Sequence, residues 1–282
     1  MASDPRITAS NGRVALRALQ GQVMADEFLD GTWMTVQQPL ANIMTEPKGK
    51  RASQLLFGER FLALETRDGQ VFGQAERDGQ VGYILLQALA AETPVTHWVT
   101  APATHLYPRP DVKSSPDVSI FFGARVNVVE PAKEGESFHR IQTGHHVPKS
   151  HLRPLTARFS DTVGVADLFL GTPYLWGGSS RWGIDCSGLI QLAMRACGQD
   201  CPRDSDQQEA ALGALLPEDA PLRRGDLVFW RGHVGIMADE EMLLHANAHH
   251  MAVAYEPLAH AEARIRTSGG GEITARKHVL IE

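Results

Sequence analysis

The chain has 282 residues, a formal net charge of −6 at pH 7, 43% hydrophobic residues and 21% charged residues. This length suits two or three domains, and the composition is that of a globular protein rather than a disordered one. The acidic balance gives no electrostatic reason to expect nucleic acid or an anionic membrane as a partner. We therefore expect neither partner, and the function has to be sought in local motifs.

The N-terminus and the cysteines bear on the compartment. The opening residues Met1-Ala-Ser-Asp-Pro-Arg6 lack the apolar core of a signal peptide, and no apolar run approaches the ~20 residues that span a bilayer. Three cysteines, all between residues 186 and 201, are too few and too clustered for a disulfide framework. These features predict a cytoplasmic protein, although removal of a leader would leave the same pattern.

The first 30 residues show apolar positions at helix-like spacing, namely Val14, Leu16, Leu19 and Val23. We predict an N-terminal arm or a helix that packs on another domain.

Between residues 31 and 156, short β-prone runs alternate with glycine, proline and aspartate turns. This stretch also repeats itself, because Phe-Gly-Glu-Arg at 57–60 recurs as Phe-Gly-Ala-Arg at 122–125, and Gly79 matches Gly144 at the same offset. A period of about 60–65 residues is typical of a small β-barrel present twice. One irregular β-domain is the alternative.

After residue 156 helix and strand signals alternate. The predicted helices cover 162–170, 186–197 and 205–215, and the predicted strands cover 226–230, 233–238, 242–246 and 251–255. A helix followed by an antiparallel sheet is an α+β arrangement. The predicted organisation is an arm at 1–30, barrels at 31–92 and 93–156, and an α+β domain at 157–282.

Cys186 lies at the predicted start of a helix, directly after the N-cap candidate Asp185. A thiol attacks as its thiolate, and the unpaired N–H groups and positive dipole end of a helix start lower a cysteine pKa. The glycine-rich stretch 176–183 would let a substrate backbone approach closely. Cys186 is therefore a candidate nucleophile, with a buried structural cysteine as the alternative.

Two histidines strengthen the case for a nucleophile. Residues 225–238 predict strand, turn and strand, and the polar loop 239–241 leads into a third strand that contains His245. With a three-residue loop, His245 lies opposite Gly235 and diagonal to His233, at the ~7–8 Å spacing of diagonal neighbours. His233 is then the base for Cys186, and His245 fixes its tautomer, as in papain-like enzymes.

A structural zinc site is the competing interpretation of this region. His245, His249 and His250 with Cys197 and Cys201 offer enough ligand atoms, but their spacing is not that of a standard zinc motif. We expect no metal and no cofactor.

Residues 160–256 resemble the NlpC family of bacterial cell-wall cysteine peptidases, which have a papain-like fold. The resemblance rests on six motifs in matching order: Pro173-Tyr-Leu-Trp-Gly-Gly178, Asp185-Cys-Ser-Gly188, Pro202-Arg-Asp-Ser-Asp-Gln-Gln208, Gly225-Asp-Leu-Val-Phe-Trp230, His233-Val-Gly-Ile236 and His245. The upstream repeats resemble bacterial SH3-like barrels. The implied fold is a papain-like α+β peptidase domain preceded by two small SH3-like β-barrels.

The resemblance also implies roles for single residues. Cys186, His233 and His245 would be catalytic, and Tyr174 would border the nucleophile. Asp185, Ser187 and Ser205 would hold the N-terminal amine and backbone of a murein peptide, with helix capping by Asp185 and a Ser205–Gln208 capping box as structural alternatives. Glu59 and Tyr83 of the first barrel are candidates for further substrate contacts, with ordinary surface residues as the alternative.

The implied reaction is hydrolysis of the γ-D-glutamyl–diamino acid bond in murein peptides with a free N-terminal L-Ala, as in the γ-D-glutamyl-L-diamino acid endopeptidase subgroup. The expected setting is recycling of imported wall peptides. Two other functions stay open: an amidase or acyltransferase on the same fold, and a non-catalytic protein that binds wall or peptide ligands.

Overall fold

The computed structural model describes residues 4–280, and the chain divides into two compact units, Met1–Ala157 and Arg158–Glu282. Within residues 4–280, no helix has the length and apolar character needed to cross a membrane.

From residue 4 onward, where the structure describes the chain, the first half of unit 1 is built from nine strands. They are β1 (Val14–Leu16), β2 (Glu27–Leu29), β3 (Thr32–Val36), β4 (Leu40–Met44), β5 (Arg51–Leu56), β6 (Arg60–Arg67), β7 (Gln70–Ala75), β8 (Val81–Leu85) and β9 (Leu89–Ala91). Strands β3 to β9 form one antiparallel sheet in the order β5-β4-β8-β7-β6-β3-β9. Alternate side chains such as Ile43, Phe61 and Ile84 are fully buried in its core.

The N-terminal segment does not form the predicted helix. Strands β1 and β2 pair in parallel, and only a short 3-10 turn joins them at Arg17–Leu19. Asn11 accepts hydrogen bonds from the N–H groups of Arg13 and Val14, and Gly12 takes a positive φ of 86°, so a turn replaces the first helical turn. The segment is still an arm, because its apolar side chains pack on the sheet beside Leu64.

The second half of unit 1 contains eight short strands. They are β10 (His97–Val99), β11 (Ala103–Leu106), β12 (Val118–Phe121), β13 (Arg125–Val126), β14 (Val128–Glu130), β15 (Phe138–Ile141), β16 (His146–Pro148) and β17 (Leu152–Pro154). They form three small antiparallel sheets, in the orders β13-β10-β17, β11-β12 and β14-β15-β16.

The two halves share two local constructions, as the predicted duplication would require. The Gly58 N–H donates to the Val36 carbonyl at 2.8 Å, and the Gly123 N–H donates to the Val99 carbonyl at 2.9 Å. A 3-10 turn precedes the last strand of each half, at Leu86–Ala88 and Lys149–His151. The arm and both barrels form a single compact unit, so the domain boundaries predicted after residues 30 and 92 stay predictions.

Over its described residues, 158–280, unit 2 combines four helices with one main sheet. The helices are α1 (Thr162–Asp167), α2 (Cys186–Ala196), α3 (Ser205–Ala211) and α4 (Leu258–Thr267). The strands are β18 (Ser179–Ser180), β19 (Gly183–Ile184), β20 (Ala214–Leu215), β21 (Leu227–Trp230), β22 (His233–Met237), β23 (Met242–Asn247), β24 (Ala252–Pro257) and β25 (Ala275–His278). The sheet order is β20-β25-β21-β22-β23-β24, and α2 packs against β22 and β23.

The third predicted helix ends earlier than expected. Its last residue is Ala211, because Gly213 has a φ of 59° and the chain then joins the edge of the sheet as β20. The three predicted helices and four predicted strands are otherwise present with ends shifted by a few residues.

Gly58 gives a test of the close approach between the two halves of unit 1. Its φ is 79°, and an added Cβ would lie 1.9 Å from the Arg125 carbonyl oxygen, whereas Gly69 has a φ of 74° and nothing within 4 Å. We expect Gly69→Ala to cost about 1–2 kcal/mol of unfolding free energy from backbone strain. Gly58→Ala should cost a further ~1–3 kcal/mol from the collision. Urea unfolding measures both, and equal losses would contradict this account.

Candidate active site

Cys186 is the first residue of α2 and is buried. Asp185 has extended backbone, and its Oδ1 accepts the Gly188 N–H at 2.7 Å, so it is the N-cap that the sequence predicts. The backbone N–H groups of Val234 and Ser187 lower the pKa of the Cys186 thiol, so both lie beside its sulfur. The nucleophile candidate therefore lies between the helix start and the first residues of β22.

The hairpin of β22 and β23 has the predicted register. Ile236 pairs with Leu244, and the Ala238 N–H donates to the Met242 carbonyl at 2.7 Å across the three-residue loop. This register puts His233 and His245 on one face, where His233 Nε2 and His245 Nδ1 are 2.9 Å apart. The predicted pairing of the two histidines is thus present as a direct hydrogen bond.

Gly235 makes the pairing of the two rings possible. A Cβ at this position would lie 3.1 Å from the His245 Cβ and 2.7 Å from the Leu243 Cδ1. The missing side chain is therefore the reason that the His245 ring can cross to its diagonal neighbour.

Burial controls the protonation of these groups. It raises the pKa of the Cys186 thiol to about 12, with the Asp185 carboxylate acting in the same direction. It lowers the pKa of His233 to about 3 and that of His245 to about 4. Burial acts against the expected lowering of this pKa at the helix start and outweighs the backbone N–H groups of Val234 and Ser187. At neutral pH the thiol and both imidazoles are uncharged.

Sequence reasoning missed Glu256 and Arg264, which extend the histidine pair. His245 pairs with Ala254 on β24, so Glu256, two residues further, lies on the same face. Its Oε2 is 3.1 Å from His245 Nε2, and Arg264 on α4 donates to both carboxylate oxygens, at 3.0 and 2.7 Å. The register of β24 depends on the loop 248–251, where Met251 takes a φ of 51°, and no sequence signal fixes that register.

A second buried network surrounds the helix start. Arg203 is almost fully buried and donates to Asp185 Oδ2 at 2.7 Å and to the Ser187 hydroxyl at 2.9 Å. Asp185 Oδ2 also accepts the Gly177 N–H at 2.8 Å. The predicted substrate contacts Asp185 and Ser187 are thus also structural partners of Arg203. The sequence indicates a role for Arg203 only through its place in the 202–208 motif.

Tyr174 lies near the same helix start, and Ser205 begins α3, which contacts α2. Burial raises the pKa of the half-buried Tyr174, and the neighbouring Cys186 acts in the same direction. Ser205 is the first residue of α3, whose N-cap is Asp204, so the predicted capping box is absent. The Gln208 amide instead donates to the Ser187 carbonyl at 2.9 Å, which ties α3 to α2.

The two candidates in the first barrel differ in their surroundings. Glu59 is 4% exposed, and its Oε2 accepts from the Leu56 N–H at 2.8 Å and from Arg77 at 3.0 Å. Both bonds end on the same oxygen of a buried carboxylate, which favours a structural role, and the substrate contact of Glu59 stays a prediction. The Tyr83 ring packs at a tilt against Phe72 and lines a surface cavity, and its substrate contact also stays a prediction.

One group of side chains has the donor atoms for a metal ion. Ligand atoms of His245, His250 and Glu256 lie within 4.8 Å of one another. The guanidinium of Arg264, at hydrogen-bonding distance from both oxygens of Glu256, opposes a cation there. The hydrogen bonds of His245 and Glu256 account for the arrangement without an ion.

Residues 171–269 match the NlpC/P60 family, and residues 43–89 match the bacterial dipeptidyl-peptidase SH3 domain. The probable endopeptidase NlpC of Escherichia coli is 36% identical over 109 residues, which are 33% of this chain and 70% of that protein. The chain belongs to the NlpC/P60 family. The predicted resemblance and fold class are thereby confirmed.

One further relative and one solved structure match different shares of this chain. The γ-D-glutamyl-L-lysine dipeptidyl-peptidase of Bacillus subtilis is 38% identical over 95 residues, which are 30% of this chain and 31% of that protein. The chain thus spans about a third of that relative's length. The crystal structure of an NlpC/P60 family protein from Bacillus cereus covers 88% of this chain and all of its own, with a TM-score of 0.73 and 18% identity. This likeness extends the shared fold to most of the chain.

The lowered histidine pKa values predict a pH-dependent stability of the NlpC/P60 unit. A group whose folded-state pKa lies below its unfolded value of ~6.5 stabilises the fold above that pH, and the contribution is lost as the pH falls. Between pH 6.5 and pH 5 the free energy of unfolding should fall in both proteins. We expect the fall to be about 2 kcal/mol smaller in His233→Gln than in wild type. Urea unfolding at both pH values measures this difference. His260 is exposed, and His260→Gln should keep the wild-type pH slope, whereas an unchanged pH slope in His233→Gln would contradict an uncharged, half-buried His233 ring.

Proposed function

We propose that the protein is a cysteine peptidase with Cys186 as nucleophile, His233 as base and His245 as the group that orients the base. The observation that carries the proposal is the 2.9 Å hydrogen bond between the two rings, on a hairpin that packs against the helix that begins with Cys186. Acyl transfer by a thiol requires a nucleophile, a base beside it and a group that orients the base, in that spatial order.

The protonation states suggest how the reaction begins. Nε2 of His233 is engaged with His245, which leaves Nδ1 to take the proton from the uncharged Cys186 thiol. The thiolate then attacks the scissile carbonyl, and the protonated His233 gives its proton to the leaving amine. Water, activated by His233, hydrolyses the resulting thioester and frees the enzyme.

We propose murein peptides as substrates, cleaved at the γ-D-glutamyl–diamino acid bond to release L-Ala-D-Glu. Two findings support this choice. The SH3 segment matches the domain of bacterial dipeptidyl-peptidases, and relatives from Bacillus subtilis and Bacillus cereus are named γ-D-glutamyl-L-lysine dipeptidyl-peptidases. Removal of a dipeptide requires that the enzyme recognise the free N-terminal amine of L-Ala.

A requirement for that free amine would favour a role in recycling. In intact cell wall the amine of L-Ala is bound in an amide, so a free amine marks peptides already released from the glycan. We propose the cytoplasm as the compartment, supported by three buried cysteines that are all free.

The experiment compares wild type, Cys186→Ala and Cys197→Ala on L-Ala-γ-D-Glu-diaminopimelate and L-Ala-γ-D-Glu-L-Lys. We expect L-Ala-D-Glu by mass spectrometry from wild type and from Cys197→Ala, which removes a buried thiol at the other end of α2. Cys186→Ala should lose at least ~10³-fold in rate because the nucleophile is gone. Equal product from Cys186→Ala and wild type, or none from wild type, contradicts the proposal.

N-acetylation of the same peptides tests the recognition of the amine. We expect the acetylated peptides to be cleaved at least ~10-fold more slowly, because a positive charge that the site recognises has been removed. Undiminished cleavage would show that the enzyme is an endopeptidase without a requirement for a free N-terminus.

A further inference from the structure

The carboxylate of Glu256 lies at the end of the hydrogen-bonded chain that starts at His233. It is 93% buried, and its two oxygens are used by Arg264 and by His245. Burial alone would raise the pKa of this carboxyl, but the hydrogen bonds and the charge of Arg264 outweigh burial and lower it. Glu256 is therefore ionised at neutral pH, and an ionised carboxylate only accepts hydrogen bonds.

This single constraint determines the proton positions along the chain. Because Glu256 accepts, His245 Nε2 has to donate, and the uncharged His245 ring then carries a bare Nδ1. His233 Nε2 has to donate to that nitrogen, which leaves the lone pair of His233 on Nδ1.

We propose that Glu256, held by Arg264, is a positioning residue that fixes the tautomers of both histidines so that His233 Nδ1 accepts the Cys186 proton. The inference rests on the proposed peptidase function. In the transfer the Sγ–H bond breaks and the Nδ1–H bond forms, and His233 becomes an imidazolium opposite the thiolate. The carboxylate also stabilises that imidazolium through His245, in the manner of the aspartate in a Ser-His-Asp triad.

Few charged groups compete with Glu256 at this place. Glu256 favours the protonated histidines, whereas Arg264 and the neighbouring His250 oppose protonation. On the α2 side the pair faces Cys186, whose own charged neighbours are Asp185 and Arg203, a closed ion pair. Burial has the largest effect on the pKa of both histidines, and among the charged groups Glu256 and Arg264 act on both rings in opposite directions.

The test variant is Glu256→Gln, which keeps the shape and removes the charge. Its matched control is Glu262→Gln, which removes a carboxylate that bonds Arg266 on the same helix. The first readout is the rate of alkylation of Cys186 by iodoacetamide between about pH 6 and about pH 10. Trypsin isolates this cysteine in the peptide 182–195, apart from the other two cysteines.

We expect Glu256→Gln to react about 10-fold more slowly than wild type near pH 7, because the thiolate–imidazolium state is less stable. The difference should shrink as the pH rises, since the thiol then ionises without His233. A disturbed fold would slow or speed the reaction at every pH and would lower the melting temperature. Equal rates and pH profiles in the Glu256→Gln and Glu262→Gln proteins would overturn the proposal.

Peptide cleavage gives a second readout. We expect kcat of Glu256→Gln to fall about 10- to 100-fold with KM unchanged, as for other groups that orient a reacting histidine. Alkylation needs no peptide substrate, so the two proposals can fail separately. If wild type does not cleave the peptides but the alkylation profiles are as expected, the proposed substrate is wrong and the role of Glu256 is still supported.

Arg264→Met keeps the proposal testable if Glu256→Gln does not fold. Removal of the cation takes away the charge that keeps Glu256 ionised, so burial raises the pKa of this carboxyl. Below that raised pKa, Arg264→Met should react as slowly as Glu256→Gln, and above it at least as fast as wild type. An alkylation profile of Arg264→Met without this additional step would contradict the role of the carboxylate charge.

Discussion

The hydrogen bond between His233 Nε2 and His245 Nδ1 is the interaction on which the active-site arrangement depends. It requires an odd loop between β22 and β23, a glycine at position 235 and a strand that begins beside the start of α2. Each requirement is local, yet together they bring the histidine pair close to Cys186, the proposed nucleophile. The rest of unit 2 serves to hold these three elements in register.

Burial gives the site its chemical character. An exposed cysteine at a helix start would ionise readily, but Cys186 is kept as a thiol and both imidazoles are kept neutral. Such a site reacts only when the proton moves from sulfur to nitrogen, so the groups that favour an imidazolium control the rate. This is why a buried carboxylate at the far end of the chain, with no contact to the thiol, acquires a role.

The sequence allowed the fold and the three central residues to be predicted, because the signals are short-range. Capping by Asp185, the odd loop at 239–241 and the 65-residue repeat are all visible in the order of residues. The hydrogen-bond partners of the site, Arg203, Glu256 and Arg264, were not predicted. They lie on other segments of the chain, which loops bring close to the site, and no local pattern determines the geometry of those loops. The same limit explains Glu59, whose partner Arg77 lies two strands away, and the N-terminal arm, whose helical spacing was overridden by the turn at Asn11.

The most direct test of this account is the tautomeric state of the two histidines in the resting protein. Nitrogen-15 NMR of the histidine rings, assigned with His233→Gln and His245→Gln, reports which ring nitrogens carry hydrogen at neutral pH. The account predicts that both rings are uncharged, with hydrogen on Nε2 and a bare Nδ1. A hydrogen on Nδ1 of either ring, or a doubly protonated His233 at neutral pH, would contradict it.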